Sequence, residues 1–563
     1  MTISILILLF PLFAAILIGA FGKRVPSFVA RVGVIATVSA FFIAAWTLYY
    51  VSTKGSIHIM LWPVNSDPSA VFKVGLLIDR LTAVMMVLIT SVSTIIHVYS
   101  IRYLEGDPGY ARFYALLSFI TFVILSLVCS SNLFMLFVFW SLLSWALYLI
   151  LVFNCSHPDA KKNAFKTFFV HRVGDVSFLF GIFLTYKYYG TLEFSELFEA
   201  AKRSQTISLL PGNLFDVNVV SLITLLIFVG AMAKSAQFPL HVWLPDTMDS
   251  PTPVSALMHA GIVNAGGFLL NRLAPFYALS PTTLHVVFVI GALTVLLGAS
   301  MMLVQNDIKK TLGFSTMGQM GYMVMECGLG AFALAIFHLI AHGLFKATLF
   351  LGAGQGIHEA RNEPEFPDAS AHQPVQAPTH LTWITGLILT LIMPLVILML
   401  AHDVLDVPLK DANGTVIFLF FGWVTASQAM FSLYRLYPVG SWAAVSTMVG
   451  ALFLIVFVYL WAGEAFTHFI YHQPGVAAGF FKAAALHPRV FDMLVLMATV
   501  LIVFGWVVLY TNSKGQAIFM RSWILSIRNQ MYILLINRFY LDLAYVRCGD
   551  NLLRLAQKVA SRF

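Results

Sequence analysis

Charged side chains are scarce in this sequence: Asp, Glu, Lys and Arg make up 10% of its 563 residues, against roughly 25% in a soluble domain. With 60% of residues hydrophobic and a mean hydropathy of +0.87, most of the chain must be dissolved in lipid. Long polar stretches are missing too, so no large water-soluble module fits. Apolar runs long enough to cross a ~30 Å hydrocarbon core recur from end to end, which excludes a soluble catalytic domain on a single anchor. Cysteine is equally rare. Cys129, Cys155, Cys327 and Cys548 lie far apart without metal-type spacing, so neither a disulfide framework nor a zinc or iron–sulfur cluster is indicated, and redox chemistry within the chain is not expected. The formal charge of +8 gathers in short loops and a basic C-terminal stretch, which points to a membrane surface or a protein partner rather than to nucleic acid.

What is present is a succession of apolar spans. Hydropathy places them near residues 3–21, 28–51, 74–100, 111–129, 131–153, 164–188, 217–238, 253–277, 282–304, 309–329, 331–356, 379–401, 414–437, 443–463 and 491–512. The expected fold class is therefore all-α, a polytopic membrane protein of about 15 transmembrane helices. The first run, Thr2 to Ala20, lacks the basic leader of a signal peptide and reads as a retained span. With the N-terminus outside, Lys23/Arg24/Arg31, Lys161/Lys162/Lys166, Lys309/Lys310 and Lys514/Arg521 all face the cytoplasm, the arrangement that the positive-inside rule prefers. Loops 189–216 and 464–490 then face the periplasm, and the proline-containing linker 357–378 the cytoplasm. After residue 512, Arg521, Arg528, Arg538, Arg547, Arg554, Lys558 and Arg562 are interleaved with Trp523, Ile524, Tyr532, Leu534, Phe539 and Leu543. This stretch reads as an interfacial amphipathic helix or docking surface, with a final span near 524–547 as the alternative.

Ionisable groups inside a membrane are costly, so each is by default a candidate functional residue. In FHLIAHGLFKA, His338, His342 and Lys346 recur every four residues and share one helix face. The competing reading is a set of core side chains bonded to nearby carbonyls; a haem or metal site is disfavoured because no carboxylate or cysteine lies at ligand spacing. In GAMAKSAQFPLHVWLPDTMDSPTPVSALMHA, Lys234 sits mid-span and Pro239, Pro245, Pro251 and Pro253 interrupt the helical ladder after it. Membranes tolerate such a break only against protein or a water-lined cavity, and broken helices with a buried charge mark ion paths. His259 follows on the next span. Snorkelling of Lys234 to an interface is the bland alternative. HRVGDV places Arg172 and Asp175 at i, i+3, either a structural ion pair or a counter-charge for Lys234, since burial penalises a lysine's charged form and a nearby carboxylate restores it. Asp79 and Arg80 in GLLIDRL form another intramembrane pair, read as structural.

At these residues the sequence resembles the antiporter-like membrane subunits of respiratory complex I (the NuoL type) and of Mrp cation/proton antiporters. The resemblance is carried by FVFWSLLSWALYLIL (137–151), AFKTFFVHRVGDV (164–176), AKSAQFPLHVWLPDTMDSPTPVSALMHA (233–260), DIKKTLGFSTMGQMGYM (307–323) and FHLIAHGLFKATLFL (337–351). It implies two inverted five-helix repeats with broken helices and a water-filled polar axis. Residues 1–110 would be N-terminal helices, 111–277 and 282–437 the two repeats, 443–512 C-terminal helices and 513–563 the basic tail. It also implies that Lys234, His259, His338, His342 and Lys346 handle protons, with Arg172 and Asp175 matching the family's HRxGD-type pair.

Two departures stand out. Trp140 is followed by Ser141 where the family's FxxWE motif has glutamate, and the region of the family's GFFSKDE-like lysine reads LAHDVLDVPLK, offering His402, Asp403 and Lys410. The chain after residue 512 is also short for a long lateral helix. These features resemble the branch of inorganic-carbon membrane subunits called DabB or MpsA. That resemblance implies a bacterial inner-membrane protein without a cofactor or catalytic site of its own, in which inward H+ or Na+ flow drives CO2 hydration by a large cytoplasmic DabA-like zinc partner. A complex I or Mrp pump subunit, or a non-conducting scaffold for a cytoplasmic enzyme, remain as alternatives.

Overall fold

An apolar segment in lipid must close its backbone hydrogen bonds internally, and a helix does so within one segment. The described residues of the computed structural model are 2–22, 24–62, 73–153, 158–203, 206–208, 216–362, 442–487, 489, 493, 496 and 521–560. Among them nine helices are long and apolar enough to span a bilayer. In chain order the helices are α1 (Leu6–Phe21), α2 (Pro26–Lys54), α3 (Arg80–Tyr103), α4 (Tyr110–Val128), α5 (Leu133–Leu151), α6 (Pro158–Tyr189), α7 (Phe194–Ala200), α8 (Val219–Lys234), α9 (Thr252–Ala260), α10 (Ala265–Arg272), α11 (Ala274–Tyr277), α12 (Pro281–Met302), α13 (Ile308–Gly328) and α14 (Phe332–Asn362). Later helices cover Trp442–Ile470, Val476–Ala483, Arg521–Ile536 and Leu541–Ala560. Local chemistry sets their starts. Asp79, Asn132, Asn218, Ser280 and Asp307 each accept a hydrogen bond from a first-turn amide, relieving one of the donors that a helix N-terminus leaves unpaired.

Two small hairpins accompany the helices. β1 (Ile57–Trp62) pairs antiparallel with β2 (Val74–Ile78), and β3 (Thr206–Ser208) with β4 (Asp216–Asn218). The expected span 74–100 therefore begins as a strand, and its helix starts only at Arg80. A five-residue apolar run such as VGLLI fits either period, and pairing with Ile57–Trp62 decides it. The Asp79–Arg80 pair also needs correction. Asp79 Oδ2 lies 2.6 Å from Arg272 on α10, whereas Arg80 donates to the Phe469 carbonyl at 2.8 Å.

The helix ends sort onto two faces. On one, Lys166 at the start of α6 meets Asp246 at 2.7 Å, Lys309 at the start of α13 reaches the Ser250 carbonyl at 3.3 Å, and Gly22 lies against Ala111. The helix ends beside Arg24, Lys166 and Lys309 thus share a face, as expected, while Lys514 of the fourth basic cluster lies outside the described residues. The opposite face holds Asp79–Arg272 and the contact of Asn132 Nδ2 with Glu193 Oε1, 3.1 Å. Between the faces, α12 and α13 approach closely at glycine: a Cβ on Gly298 would lie 2.5 Å from the Gly318 nitrogen, the small-residue contact that lets transmembrane backbones meet.

The tail is helical but interrupted. Arg538, Phe539 and Tyr540 have φ of 53°, 53° and 56°, a left-handed turn that costs free energy for non-glycine residues and breaks the alternative span 524–547. Arg538 spans Asp246 Oδ1 (2.7 Å) and Asp542 Oδ2 (2.9 Å), Lys166 also reaches Asp542 (2.5 Å), and the Tyr545 hydroxyl donates to the Pro239 carbonyl (3.0 Å). Burial opposes ionisation of Asp246, but the Arg538 and Lys166 charges beside it outweigh that and hold its carboxyl below the usual range. The docking surface read from the tail's composition is thus turned partly onto the chain's own broken helix. Linker 357–378 starts as the last turns of α14; most of it, His402, Asp403 and Lys410, and the expected spans 379–401 and 414–437 lie outside the described residues.

Candidate ion path

α8 ends where its lysine sits. Lys234 is the final helical residue, and Ala236 is left-handed with φ 49°. The chain then passes Pro239, the short Leu244–Asp249 turn and Pro251 before α9 begins. Proline cannot donate to a helical ladder, so the interruption is written into the sequence. α9 is itself brief: it stops at Ala260, one residue past His259, and the Ile262–Asn264 turn separates it from α10. The expected span 253–277 is therefore split at Gly261.

Lys234 is 1% exposed, which rules out snorkelling. Its ammonium donates to the Trp140 carbonyl at 2.9 Å and to Ser144 Oγ at 2.5 Å, and it lies 5.1 Å from the centre of the Trp140 ring. The other side of Trp140 faces Asp175. Its indole N–H donates to Asp175 Oδ1 at 2.9 Å, Ser141 Oγ donates to Oδ2 at 3.1 Å, and Arg172 pairs with Oδ2 at 2.5 Å. Arg172 also donates to the Ser141 carbonyl at 3.3 Å. Asp175 is thus saturated by three donors, and among the described residues no ion pair joins it to Lys234. Trp140 stands between the two as a polar bridge, with its main chain toward the lysine and its side chain toward the carboxylate.

The second cluster lies on α14, where the four-residue spacing does bring its members together. The His338 and His342 rings are 6.3 Å apart, and Lys346, 2% exposed, donates to Ser315 Oγ at 2.9 Å. His259 is fully buried and stacks on Phe350 at 4.4 Å, within electrostatic reach of Lys346 and His342. Both ring nitrogens of His171, His259 and His342 are buried without a hydrogen-bond partner among the described residues. Leaving such atoms unpaired costs roughly 1–3 kcal/mol each, so these positions favour bound water. Between the clusters, Ser235 Oγ donates to the Val263 carbonyl at 2.5 Å, and the Asn264 amide donates to the Ala260 carbonyl at 2.8 Å beside Gly343 of α14.

Several residues of the site escaped the sequence reading. Trp140 and His171 stand inside motifs it quoted. Glu326 on α13, 2% exposed and 3.1 Å from His338, carried the plainest signal, a carboxylate within an apolar span. His402 and Asp403 are outside the described residues.

Comparison with known proteins fits this geometry. The family described as NADH:quinone oxidoreductase/Mrp antiporter, TM, matches residues 130–426, and that described as NADH-Ubiquinone oxidoreductase (complex I), chain 5 N-terminus, matches residues 66–114. A probable inorganic carbon transporter subunit DabB1 of Halothiobacillus neapolitanus is 39% identical over 99% of this chain and 98% of its own length. An NADH-quinone oxidoreductase subunit L of Neisseria meningitidis is 38% identical over 69% of this chain but 58% of its own length. Among solved structures, the Mrp complex from Dietzia sp. aligns with a TM-score of 0.61 at 21% identity, covering 98% of this chain and 60% of that one.

Proposed function

Because the chain belongs to the antiporter-like membrane-subunit family shared by NADH:quinone oxidoreductase and Mrp complexes, as a multi-pass ion-translocating subunit, we propose that it conducts protons inward across a bacterial inner membrane. This flow drives CO2 hydration to bicarbonate by a cytoplasmic, DabA-like zinc protein. Sodium is the alternative coupling ion. The carbon assignment is supported by the relative of matching length whose name carries that role, and by Ser141 standing where the pump subunits of the family carry glutamate.

The observation that carries the conduction reading is Lys234, fully buried at the end of an interrupted helix and held by a carbonyl and a hydroxyl rather than by a carboxylate. A lysine in a fixed ion pair would strand a charge on losing its proton; one held by neutral acceptors does not. Lys346, held by Ser315, has the same property. In this mechanism a proton reaches the α14 histidines, passes to Lys346, crosses by way of His259 to the Lys234 cluster and leaves toward the basic face. Each inward charge supplies about 2.3 kcal/mol per 100 mV, enough to bias a linked step more than tenfold.

Lys346→Ala is the test. Coupled carbon uptake is expected to be lost while the complex stays assembled, and full activity would remove the proposed axis. Copurification of a single large zinc protein supports the carbon assignment; quinone-pathway or small antiporter subunits would replace it. If the chain were a mere scaffold, dissipating the gradient would leave its partner working.

A further inference from the structure

Asp79, Asp175 and Glu326 are carboxylates set against the helix bundle, and two of them are fixed. Asp175 is saturated by Arg172, Trp140 and Ser141, and Asp79 is held by both Arg272 nitrogens and the Thr82 amide. Glu326 differs. Its Oε2 contacts Nδ1 of His338 at 3.1 Å, and its Oε1 is buried without a partner among the described residues. No arginine or lysine pairs with it there; its partner is itself a titratable ring.

The far side of that ring also meets an oxygen. His338 Nε2 lies 2.8 Å from Gln319 Oε1, so the imidazole sits between a carboxylate oxygen and an amide oxygen. With Glu326 ionised, the oxygens at both nitrogens are satisfied only when the ring carries two N–H groups, that is, when it is protonated. Once the Nε2 proton leaves, the Gln319 amide can turn and donate its NH2 to the bare nitrogen, so the discharged state is satisfied as well. Glu326, His338 and Gln319 therefore have two complete hydrogen-bonding arrangements that differ by one proton.

We infer that Glu326, with His338 and Gln319, is the proton-loading site of the α14 array, on the face opposite the basic clusters. The inference rests on the conduction reading above. With His338 neutral and protonated at Nε2, Glu326 takes a proton from solvent and passes it to the Nδ1 lone pair; the ring then releases its Nε2 proton through water to His342, Lys346 accepts it one turn further on, and return of the remaining ring proton from Nδ1 to Nε2 by tautomerisation through water resets the site. Each transfer moves one H+ between existing lone pairs, and no bond between heavy atoms changes. Beside the site stand Tyr322 and Cys327 on α13 and His342 on α14, with Lys346 and His259 next beyond His342 and Tyr277 and Tyr471 near Cys327, while α12 brings Phe288 against Gly328. A proton fits better than sodium because the imidazole fills the space between the two oxygens, and a hard cation needs several oxygen ligands around it.

The test is proton uptake by membrane vesicles carrying the full chain in its native complex, driven by an imposed pH gradient. Glu326→Gln keeps an acceptor for His338 Nδ1, so a purely structural role predicts wild-type flux, whereas the loading role predicts a fall of at least tenfold, with Glu326→Asp partly restored. Lys346→Ala is run in parallel. If it abolishes flux and Glu326→Gln does not, the loading site is overturned and the conduction reading survives; if neither variant loses flux, both fall. If Glu326→Gln fails to assemble, infrared difference spectra of the wild type decide: a protonated-carboxyl band that appears on loading and is altered in Glu326→Asp supports the site, and its absence overturns it. Flux that requires sodium and is insensitive to the pH gradient would also overturn it.

Discussion

Asp175→Asn separates two roles that a buried carboxylate can play beside Lys234. The wild-type carboxylate lies 2.5 Å from Arg172, and the two charges nearly cancel. Replacement by asparagine keeps acceptors and donors for Trp140 and Ser141 but leaves the Arg172 charge uncompensated. Arg172 and Lys234 donate to the neighbouring carbonyls of Ser141 and Trp140, which puts the two cations on the order of 10 Å apart; with an effective dielectric near 20, their unscreened repulsion is about 1.7 kcal/mol. That is nearly twentyfold in the occupancy of a protonated Lys234, and proton flux into vesicles is expected to fall by about that factor. The double variant Arg172→Gln with Asp175→Asn removes both charges and should recover most of the flux. If the double variant is as inactive as Asp175→Asn, Asp175 carries protons itself and its role as a neutralising anchor is refuted.

Other expectations concern the architecture. Arg272→Met breaks the pair with Asp79, whose side chain is 34% exposed, so screening reduces the cost to about 2 kcal/mol, readable as a lowered unfolding temperature in detergent. Asp246→Asn removes the shared acceptor of Arg538 and Lys166 and should expose the tail to proteolysis in vesicles while the membrane core stays protected; unchanged cleavage would show that the tail is held elsewhere. Since the folded-state pKa of Asp246 is depressed, its contribution is present above the unfolded value of 3.8 and lost as pH falls below it. Tail protection should therefore persist from neutral pH through mild acid, and release between pH 5 and 7 would contradict the assignment.

Local patterns in the sequence disclosed what lies within one element. The proline series after Lys234 announced the break, and the four-residue spacing of His338, His342 and Lys346 announced the shared face. What stayed hidden is contact between elements. Asp79 finds Arg272, 193 residues away, instead of its neighbour Arg80, because a helix start points adjacent side chains in different directions. Glu326 was visible as an intramembrane carboxylate, but its pairing with His338 depends on how α13 packs against α14. The strand Val74–Ile78 was hidden because a short apolar run has no resolvable period, and the tail's grip on Asp246 because basic composition says nothing about which acid will meet it.

The resting place of the Lys234 ammonium is a peptide oxygen, that of residue 140. Mutation can exchange the indole, and with it the link to Asp175, but no substitution there deletes the oxygen. The carboxylate side of this junction can thus be altered without removing the oxygen that holds the amine. A side-chain scan at 140 would report the indole's contacts with the acid and with the ammonium over its ring, and would leave in place the carbonyl that holds the base.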